Sequence, residues 1–295
     1  PILFILVLTH DFIKWSALYL VRFHFFKRLF SEVLRKKLEK DFDFSKSLQT
    51  PDSKYLSLFD YYLPAEKHFY IDREPLMAKE ILKAIDSWLN DQSAEDLVVL
   101  VGNRGIGKST SLKMIFDQTN ADDKIFAWVP PKIYSEEGFF AWLSKQLGTN
   151  LNSIEDFIRM ESALEKKIVI MVDDIHNLFV GRIDGFKAYR LFMEIISLKT
   201  TMIFWCLTAN AHSWTYLKGV FGEEHFYGQV YEMRMWTDSE IQNLILARHK
   251  ATGYSRSFDK SIAAYGTGDM LGEKVETQFF RLLWGQSRGN PRSAL

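Results

Sequence analysis

The chain has 295 residues, and its 37 Lys and Arg balance its 37 Asp and Glu, so the formal net charge at pH 7 is zero. That balance does not indicate nucleic acid as a partner, because binding to phosphate backbones is favoured by an excess of basic side chains. The single cysteine, Cys206, cannot form an internal disulfide, so the composition does not require an oxidising compartment. Because the chain begins at Pro1 without a Met, we expect a piece of a longer protein.

The first predicted unit, residues 1–66, is a basic and aromatic helical segment followed by a linker. Residues 1–8 are wholly apolar, and residues 9–40 mix aromatic with basic side chains. No apolar run reaches the roughly 18 to 20 residues that a spanning helix needs. Two interpretations stay open: the end of a membrane span followed by a basic surface helix, or an amphipathic helix packed on protein. We expect a cytoplasmic protein, lying at the inner face of a membrane in the first interpretation.

The second predicted unit, residues 67–236, alternates helical patterns with short apolar runs that are typical of strands. Strands are predicted at 97–101, 125–129, 167–172, 202–207 and 229–235, and helices from Pro75, behind residue 108, and at 138–147, 154–164 and 186–198. Continuous branched apolar runs indicate strands buried on both faces of a parallel sheet. Alternation with helices implies right-handed crossovers, so ligands are expected at the carboxyl ends of the strands.

The strongest motif is a glycine-rich segment between the first predicted strand and a helix. It fits the phosphate-binding pattern G-x-x-x-x-G-K-[ST] with Gly102, Asn103, Arg104, Gly105, Ile106, Gly107, Lys108 and Ser109, and Thr110 follows. Backbone N–H groups of such a loop, together with the helix N-terminus, hold phosphate oxygens. Lys108 is predicted to reach the β- and γ-phosphates of a bound nucleotide, and Ser109 to bind Mg²⁺.

Acidic and amide side chains follow two later strands. Asp173 and Asp174 follow directly after the run 167–172, and Asn210 lies three residues after the run 202–207. Asp173 is predicted to complete the Mg²⁺ site, and Asp174 to orient or deprotonate an attacking water. The alternative for both acids is a strand-to-loop turn. Asn210 is predicted to hold that water or to sense the γ-phosphate, and the alternative is a simple turn residue.

The third predicted unit, residues 237–295, is a helical lid, which we expect to be incomplete. Thr237 and Glu240 fit a capping box that opens a helix ending near Gly253. Further helices are predicted at 258–265 and 273–286. Arg292 is predicted either to approach the nucleotide or to face solvent.

These residues together resemble the AAA+ and STAND branches of the P-loop ATPases, from about Tyr70 to the C-terminus. Residues 71–74 resemble the entry segment that borders adenine, which would place Ile71 and Arg73 at the nucleotide. Residues 168–174 resemble Walker B, 208–210 resemble sensor 1, and 289–292 resemble the sensor 2 region of Orc/Cdc6-like ATPases and the G-x-P signature of STAND proteins. The resemblance implies a five-stranded α/β sheet of the ASCE type, in the order 5-1-4-3-2, beneath a helical lid.

Two departures from the family favour a slow switch over a fast ring motor. Asp174 stands where many AAA+ proteins have a glutamate, and this acid pair is more typical of STAND switches. No arginine lies between Asn210 and Arg234, where an arginine finger acting on a neighbouring subunit is expected.

The leading hypothesis is therefore a Mg²⁺-dependent ATPase switch whose lid closes on ATP, with self-association or a protein effector as partner. A DNA-associated ATPase, of the initiator or transposition-helper kind, is a second possibility, although the charge does not indicate it. A third is a nucleotide-binding scaffold without significant hydrolysis.

Overall fold

The computed structural model describes residues 53–59, 69–71, 75–198, 202–222, 228–256, 258 and 275–295. The chain divides into two compact units, Pro1–Ser57 and Leu58–Leu295. The predicted membrane-contacting segment 1–40, Arg73 and nearly all of the predicted helix 258–265 lie outside the described residues, so these remain predictions. Among the described residues, no helix is both long enough and apolar enough to cross a membrane.

The second of these units alternates helices and strands along the chain. Helix α1 (Ser53–Leu58) belongs to the first unit except for its last residue. The helices of the second unit are α2 (Pro75–Leu89), α3 (Lys108–Gln118), α4 (Glu136–Leu147), α5 (Ile154–Ser162), α6 (Lys187–Ser197), α7 (Ala211–Phe221), α8 (Asp238–Thr252), α9 (Val275–Ser287) and α10 (Pro291–Ala294). The strands are β1 (Leu97–Gly102), β2 (Asp123–Trp128), β3 (Ile168–Asp173), β4 (Ile203–Asn210) and β5 (Gln229–Glu232).

The five strands form one sheet in the order β2-β3-β4-β1-β5. Every neighbouring pair is parallel. The order expected from the family resemblance is therefore confirmed. The register places Gly102 opposite Asn210, at the carboxyl ends of β1 and β4, so the phosphate loop begins beside the end of β4.

Burial along the strands follows from their places in the sheet. The central strands β1, β3 and β4 are buried almost throughout, whereas most residues of the edge strands β2 and β5 are half-buried or exposed. Alternate residues of the central strands contribute to two apolar cores: on β1, Val99 packs with helices α4 to α7, and Val98 packs with α2, α3 and the C-terminal helices. Helices cover both faces, so the chain needs the unbroken apolar runs that its sequence shows.

The helix ends follow local capping chemistry. Ser135 accepts a hydrogen bond from Gly138 N at the start of α4, and Ser153 accepts one from Asp156 N at the start of α5. The capping box at Thr237 is present as predicted. The sequence pattern does not predict helix α7, because only Trp214 and Leu217 of its eleven residues are buried.

Candidate nucleotide-binding site

A cavity of about 1090 Å³ lies beside the phosphate loop and the carboxyl ends of β3 and β4. Most of the predicted site residues line it: Ile71, Arg104, Gly105, Ile106, Gly107, Lys108, Ser109, Thr110, Asp173, Asp174, Asn210 and Arg292. Gly102 and Asn103 are not among the lining residues, but their carbonyl groups hold the lysine of the loop. Segments far apart in sequence thus form one site.

The phosphate loop takes a shape that depends on two of its glycines. Gly105 and Gly107 have φ angles of 81° and 110°, in the left-handed region that side chains disfavour. Between them, Ile106 is fully buried and holds the loop against the second core. Helix α3 then begins at Lys108, so its N-terminal N–H groups open toward the cavity.

Lys108 lies along the loop, and its Nζ donates to Gly102 O at 3.0 Å and to Asn103 O at 3.1 Å. Burial lowers the pKa of this ammonium group, while the nearby carboxylates of Asp174 and Asp173 oppose that shift. A partly desolvated cation is a strong partner for an anion, since less water has to be displaced. The loop therefore has the donors that a polyphosphate requires.

Asp173 ends β3 as a buried carboxylate. Its Oδ1 accepts a hydrogen bond from Thr208 Oγ1 at 2.5 Å. Burial and then the neighbouring Asp174 raise the pKa of Asp173, whereas hydrogen bonds from Thr208 and Ser109 lower it. The Ser109 hydroxyl and this carboxylate are thus in contact, which fits a shared Mg²⁺ ligand pair.

The described residues hold no cluster of three or more His, Cys, Asp or Glu that would bind a metal by itself. Mg²⁺ in phosphate-loop proteins is held by one or two protein oxygens together with the phosphates and water. The Ser109 and Asp173 pair therefore fits a cation that arrives with its nucleotide.

Asp174 faces the same cavity from a left-handed backbone conformation, with φ 62°. Its backbone N–H donates to Thr208 Oγ1 at 2.9 Å, so Thr208 orients both acids. Its Oδ2 accepts from Trp128 Nε1 at 3.3 Å, and its Oδ1 lies 3.8 Å from His176 Nδ1. The carboxylate therefore lines the cavity and also contacts Trp128 and His176, for which the sequence predicted no role.

The side chain of Asn210 accepts a hydrogen bond at the start of a helix. Its Oδ1 accepts from His212 N at 3.0 Å and caps α7. The side chain also lines the cavity. Both interpretations offered by the sequence, the turn residue and the γ-phosphate sensor, are therefore compatible with its position.

The C-terminal segment lies directly on the phosphate loop. Asn290 Nδ2 donates to Arg104 O at 2.7 Å, and Asn290 Oδ1 accepts from Arg292 N at 3.0 Å. A Cβ atom built at Gly105 would lie 2.7 Å from the Cβ of Arg292, so this close approach requires glycine in the loop. Arg292 lines the cavity there, near enough to Lys108 to lower its pKa.

Trp236 forms a second connection between the loop and the C-terminal helices. Its Nε1 donates to the carbonyl of Ile106 at 2.9 Å in a buried setting. Its own carbonyl accepts from Trp284 Nε1 at 2.8 Å, and its N–H donates to Gly289 O at 2.9 Å. One residue therefore bonds to the loop, to α9 and to the C-terminal segment.

Comparison with known proteins agrees with this geometry. Residues 91–214 match the family model of the AAA domain. The fold is similar to Drosophila ORC bound to DNA (TM-score 0.52, 12% identity, covering 90% of this chain and 65% of that one). It is also similar to a Walker-type ATPase of Pyrococcus abyssi (TM-score 0.52, 11% identity, covering 80% and 68%) and to the Aeropyrum pernix ORC2 protein (TM-score 0.50, 11% identity, covering 78% and 66%).

Residues 91–214 therefore form an AAA domain, in a chain whose fold is similar to that of ORC proteins. A probable disease resistance protein of Arabidopsis thaliana is 32% identical over 78 residues, which is 26% of this chain and 4% of that protein. The chain thus spans a small part of this plant relative and about two thirds of the solved structures named above.

Phe69 and Arg248 are among the cavity-lining residues that were not predicted as site residues. Arg248 is 5% exposed, and its guanidinium lies 5.4 Å from the ring centroid of Phe69. A signal was present in the sequence, because Arg248 falls on the apolar face of α8 with Ile241 and Leu244. A basic side chain on an apolar helix face can indicate either a buried charge or the end of the helix.

Proposed function

We propose that this protein is an ATP-dependent switch of the STAND kind. It binds ATP with Mg²⁺ in the cavity, hydrolyses the nucleotide slowly, and transmits the state of the phosphate loop to its C-terminal helices. One observation carries the proposal: the side chains of Trp236 and Asn290 bond directly to carbonyl groups of the phosphate loop. A loop that rearranges around phosphate must lengthen or redirect these bonds, so nucleotide and lid share one equilibrium.

The residues of the site support distinct roles in that reaction. Lys108 would leave its two carbonyl partners for the β- and γ-phosphates, because an anion is the stronger acceptor. Ser109 and Asp173 would hold Mg²⁺, which neutralises phosphate charge when bound. Arg292 would approach the phosphates from the C-terminal segment.

Asp174 is the candidate for orienting the attacking water. Its carboxylate is one methylene shorter than a glutamate, and it accepts a hydrogen bond from Trp128. Both features reduce the fraction of time in which the carboxylate is placed to accept a proton. The expected turnover is slow, as suits a switch that persists in its ATP state.

The test is ATP binding and turnover by the whole chain, compared for wild type, Lys108→Ala and Asp174→Asn. Wild type should bind ATP with Mg²⁺ and release phosphate slowly. Lys108→Ala should weaken binding about 100-fold, since two charge-assisted bonds to phosphate are lost. Asp174→Asn should bind ATP and fail to hydrolyse it.

The other outcomes discriminate between the remaining functions. Binding by wild type that Lys108→Ala abolishes, without turnover by any variant, would indicate a scaffold or a requirement for a residue from a partner. Absence of nucleotide binding by the wild type would contradict the proposal entirely.

A DNA-associated ATPase is the second candidate, because the similar Drosophila ORC structure is bound to DNA. On that proposal the chain should bind duplex DNA with an affinity that falls steeply with salt. An affinity that ATP does not change would argue against a coupled role. Self-association is tested by the sedimentation velocity of the same chain with and without ATP.

A further inference from the structure

Arg248 is a buried cation without a charged partner in the described part of the chain. It lies on α8 at the spacing of Ile241 and Leu244, and only 5% of its surface is exposed. Arginine is rarely buried so deeply unless it is paired. Its position is therefore costly, and a ligand is one way to recover that cost.

The bonds of Arg248 leave part of its guanidinium unused. Nε donates to Leu58 O at 2.9 Å, and the group lies over the ring of Phe69. Nη1 is buried and has no hydrogen-bond partner among the described residues. A guanidinium has five N–H donors and no acceptor, so the missing partner must be an acceptor.

Arg248 lines the nucleotide cavity together with Phe69 and Leu244, which form an apolar end of its wall. The pKa of Lys108 responds to Asp173, Asp174 and Arg292, which places those groups together. Burial alone lowers the pKa of Arg248. The side chains that accompany it at the cavity wall include Phe69 and Leu244, so this end suits a flat, apolar ligand group with an acceptor at its edge.

We propose that Arg248 is a nucleotide-binding residue that donates a hydrogen bond to a ring nitrogen of the adenine base. The inference rests on the proposed function, since it names the base end of the same ATP site. Adenine offers such acceptors at its ring nitrogens, and guanidinium groups also pack against aromatic faces. Arg248 thus fixes the base while Lys108 holds the phosphates.

The first experiment keeps the wild-type chain and changes the ligand. Isothermal titration would compare ATP with 1-deaza-, 3-deaza- and 7-deaza-ATP, each of which replaces one ring nitrogen by C–H. One analogue should bind about 10-fold or more weakly than ATP, the loss expected for one hydrogen bond to a charged donor. Equal binding of ATP and all three analogues would overturn the inference.

The second experiment changes the protein. Arg248→Met keeps most of the length of the side chain without its donors, and should weaken ATP about 10- to 100-fold while leaving inorganic tripolyphosphate unchanged. The weakly bound analogue should then bind this variant as well as ATP does. Arg256→Met is the matched control in the same lid, because Arg256 pairs with Glu276 at 2.8 Å and does not line the cavity.

The readouts separate this inference from the proposed function. Equal weakening of ATP and tripolyphosphate by Arg248→Met would show that Arg248 only anchors Leu58 and Phe69, and the switch proposal would stand. Wild type that binds neither ligand would overturn both. If Arg248→Met does not fold, the analogue series on wild type and on Arg248→Lys decides.

Discussion

The two sides of the nucleotide cavity are built in different ways. The strand side consists of the phosphate loop and the acids, which follow central strands that are paired along their lengths and buried on both faces. The lid side, from Trp236 onward, contacts the loop through single side-chain donors to loop carbonyls. Removing the lid from the loop breaks a few bonds, whereas moving a strand breaks a ladder.

This difference indicates where a conformational change requires little free energy. Paired strands in a core open only with much of the fold, and isolated bonds at a loop open locally. The strand side is therefore suited to fixing phosphate and metal, and the lid side to reporting them. The following predictions test that division, from the largest expected effect to the smallest.

Gly105→Ala should have the largest effect, because it forces the lid segment from the loop. The new Cβ would lie 2.7 Å from Arg292 Cβ and 2.8 Å from Asn290 Oδ1, at a φ of 81°. We expect a stability loss of about 2–4 kcal/mol and ATP binding weakened at least 10-fold. Gly148→Ala is the control: it also has a positive φ, but no atoms within 4 Å, so it should lose stability without losing affinity.

Trp236→Phe should weaken the lid bond without changing the phosphate side. It removes the donor to the buried Ile106 carbonyl, at a cost of about 1–3 kcal/mol. Trp142→Phe removes a similar indole bond, to Trp128 O at 3.0 Å, within the strand side. Chemical denaturation should give comparable losses for both, but only Trp236→Phe should reduce the protection of α9 from hydrogen exchange by ATP. If ATP protects α9 from hydrogen exchange equally in both variants, the proposed difference between the lid side and the strand side is contradicted.

Asp173→Asn should stabilise the fold in Mg²⁺-free buffer at neutral pH. Burial raises the pKa of Asp173 above its ordinary value of 3.8, so the folded chain holds this proton more tightly than the unfolded chain. Proton binding at Asp173 therefore stabilises the folded chain at low pH, and this stabilisation is lost as the pH rises through the pKa of the folded chain. The variant should therefore have the higher melting temperature at pH 7 and lose that advantage below pH 3.8. An advantage independent of pH would contradict this cause.

Thr237→Ala should have the smallest effect, a loss of about 1 kcal/mol from the N-terminus of α8. Ser153→Ala removes a similar cap from α5, remote from the lid. Both should lower the denaturant midpoint by similar amounts, and only Thr237→Ala should also weaken ATP binding by a few fold. A Thr237→Ala variant with wild-type affinity would show that α8 does not transmit to the site.

Much of the strand side could be predicted from the sequence. The runs 97–101 and 167–172 are apolar almost throughout because both faces are buried, and the glycine spacing of the phosphate loop is a local requirement of its backbone. The edge strand β5 is shorter than predicted, since it ends at Glu232 and not at Met235. An edge strand has only one partner to prolong its pairing.

The lid side was predicted in outline, as helices, but not in its contacts. The capping box at Thr237 is local chemistry and was found from four residues. The bond from Asn290 to Arg104 joins residues 186 positions apart, and that from Trp236 to Ile106 joins residues 130 apart. Asparagine and tryptophan occur in many settings, so neither residue type indicates its partner.

The sequence by itself determined the phosphate loop, the central strands and their acids, because each depends on residues that are neighbours along the chain. Only the tertiary structure decided that Trp128 donates a hydrogen bond to Asp174, that Asn210 caps α7 while lining the cavity, and that Arg248 is buried at the cavity wall. These properties depend on which faces meet after packing. Burial then fixes the desolvation, and hence the charge and bonding, of each side chain.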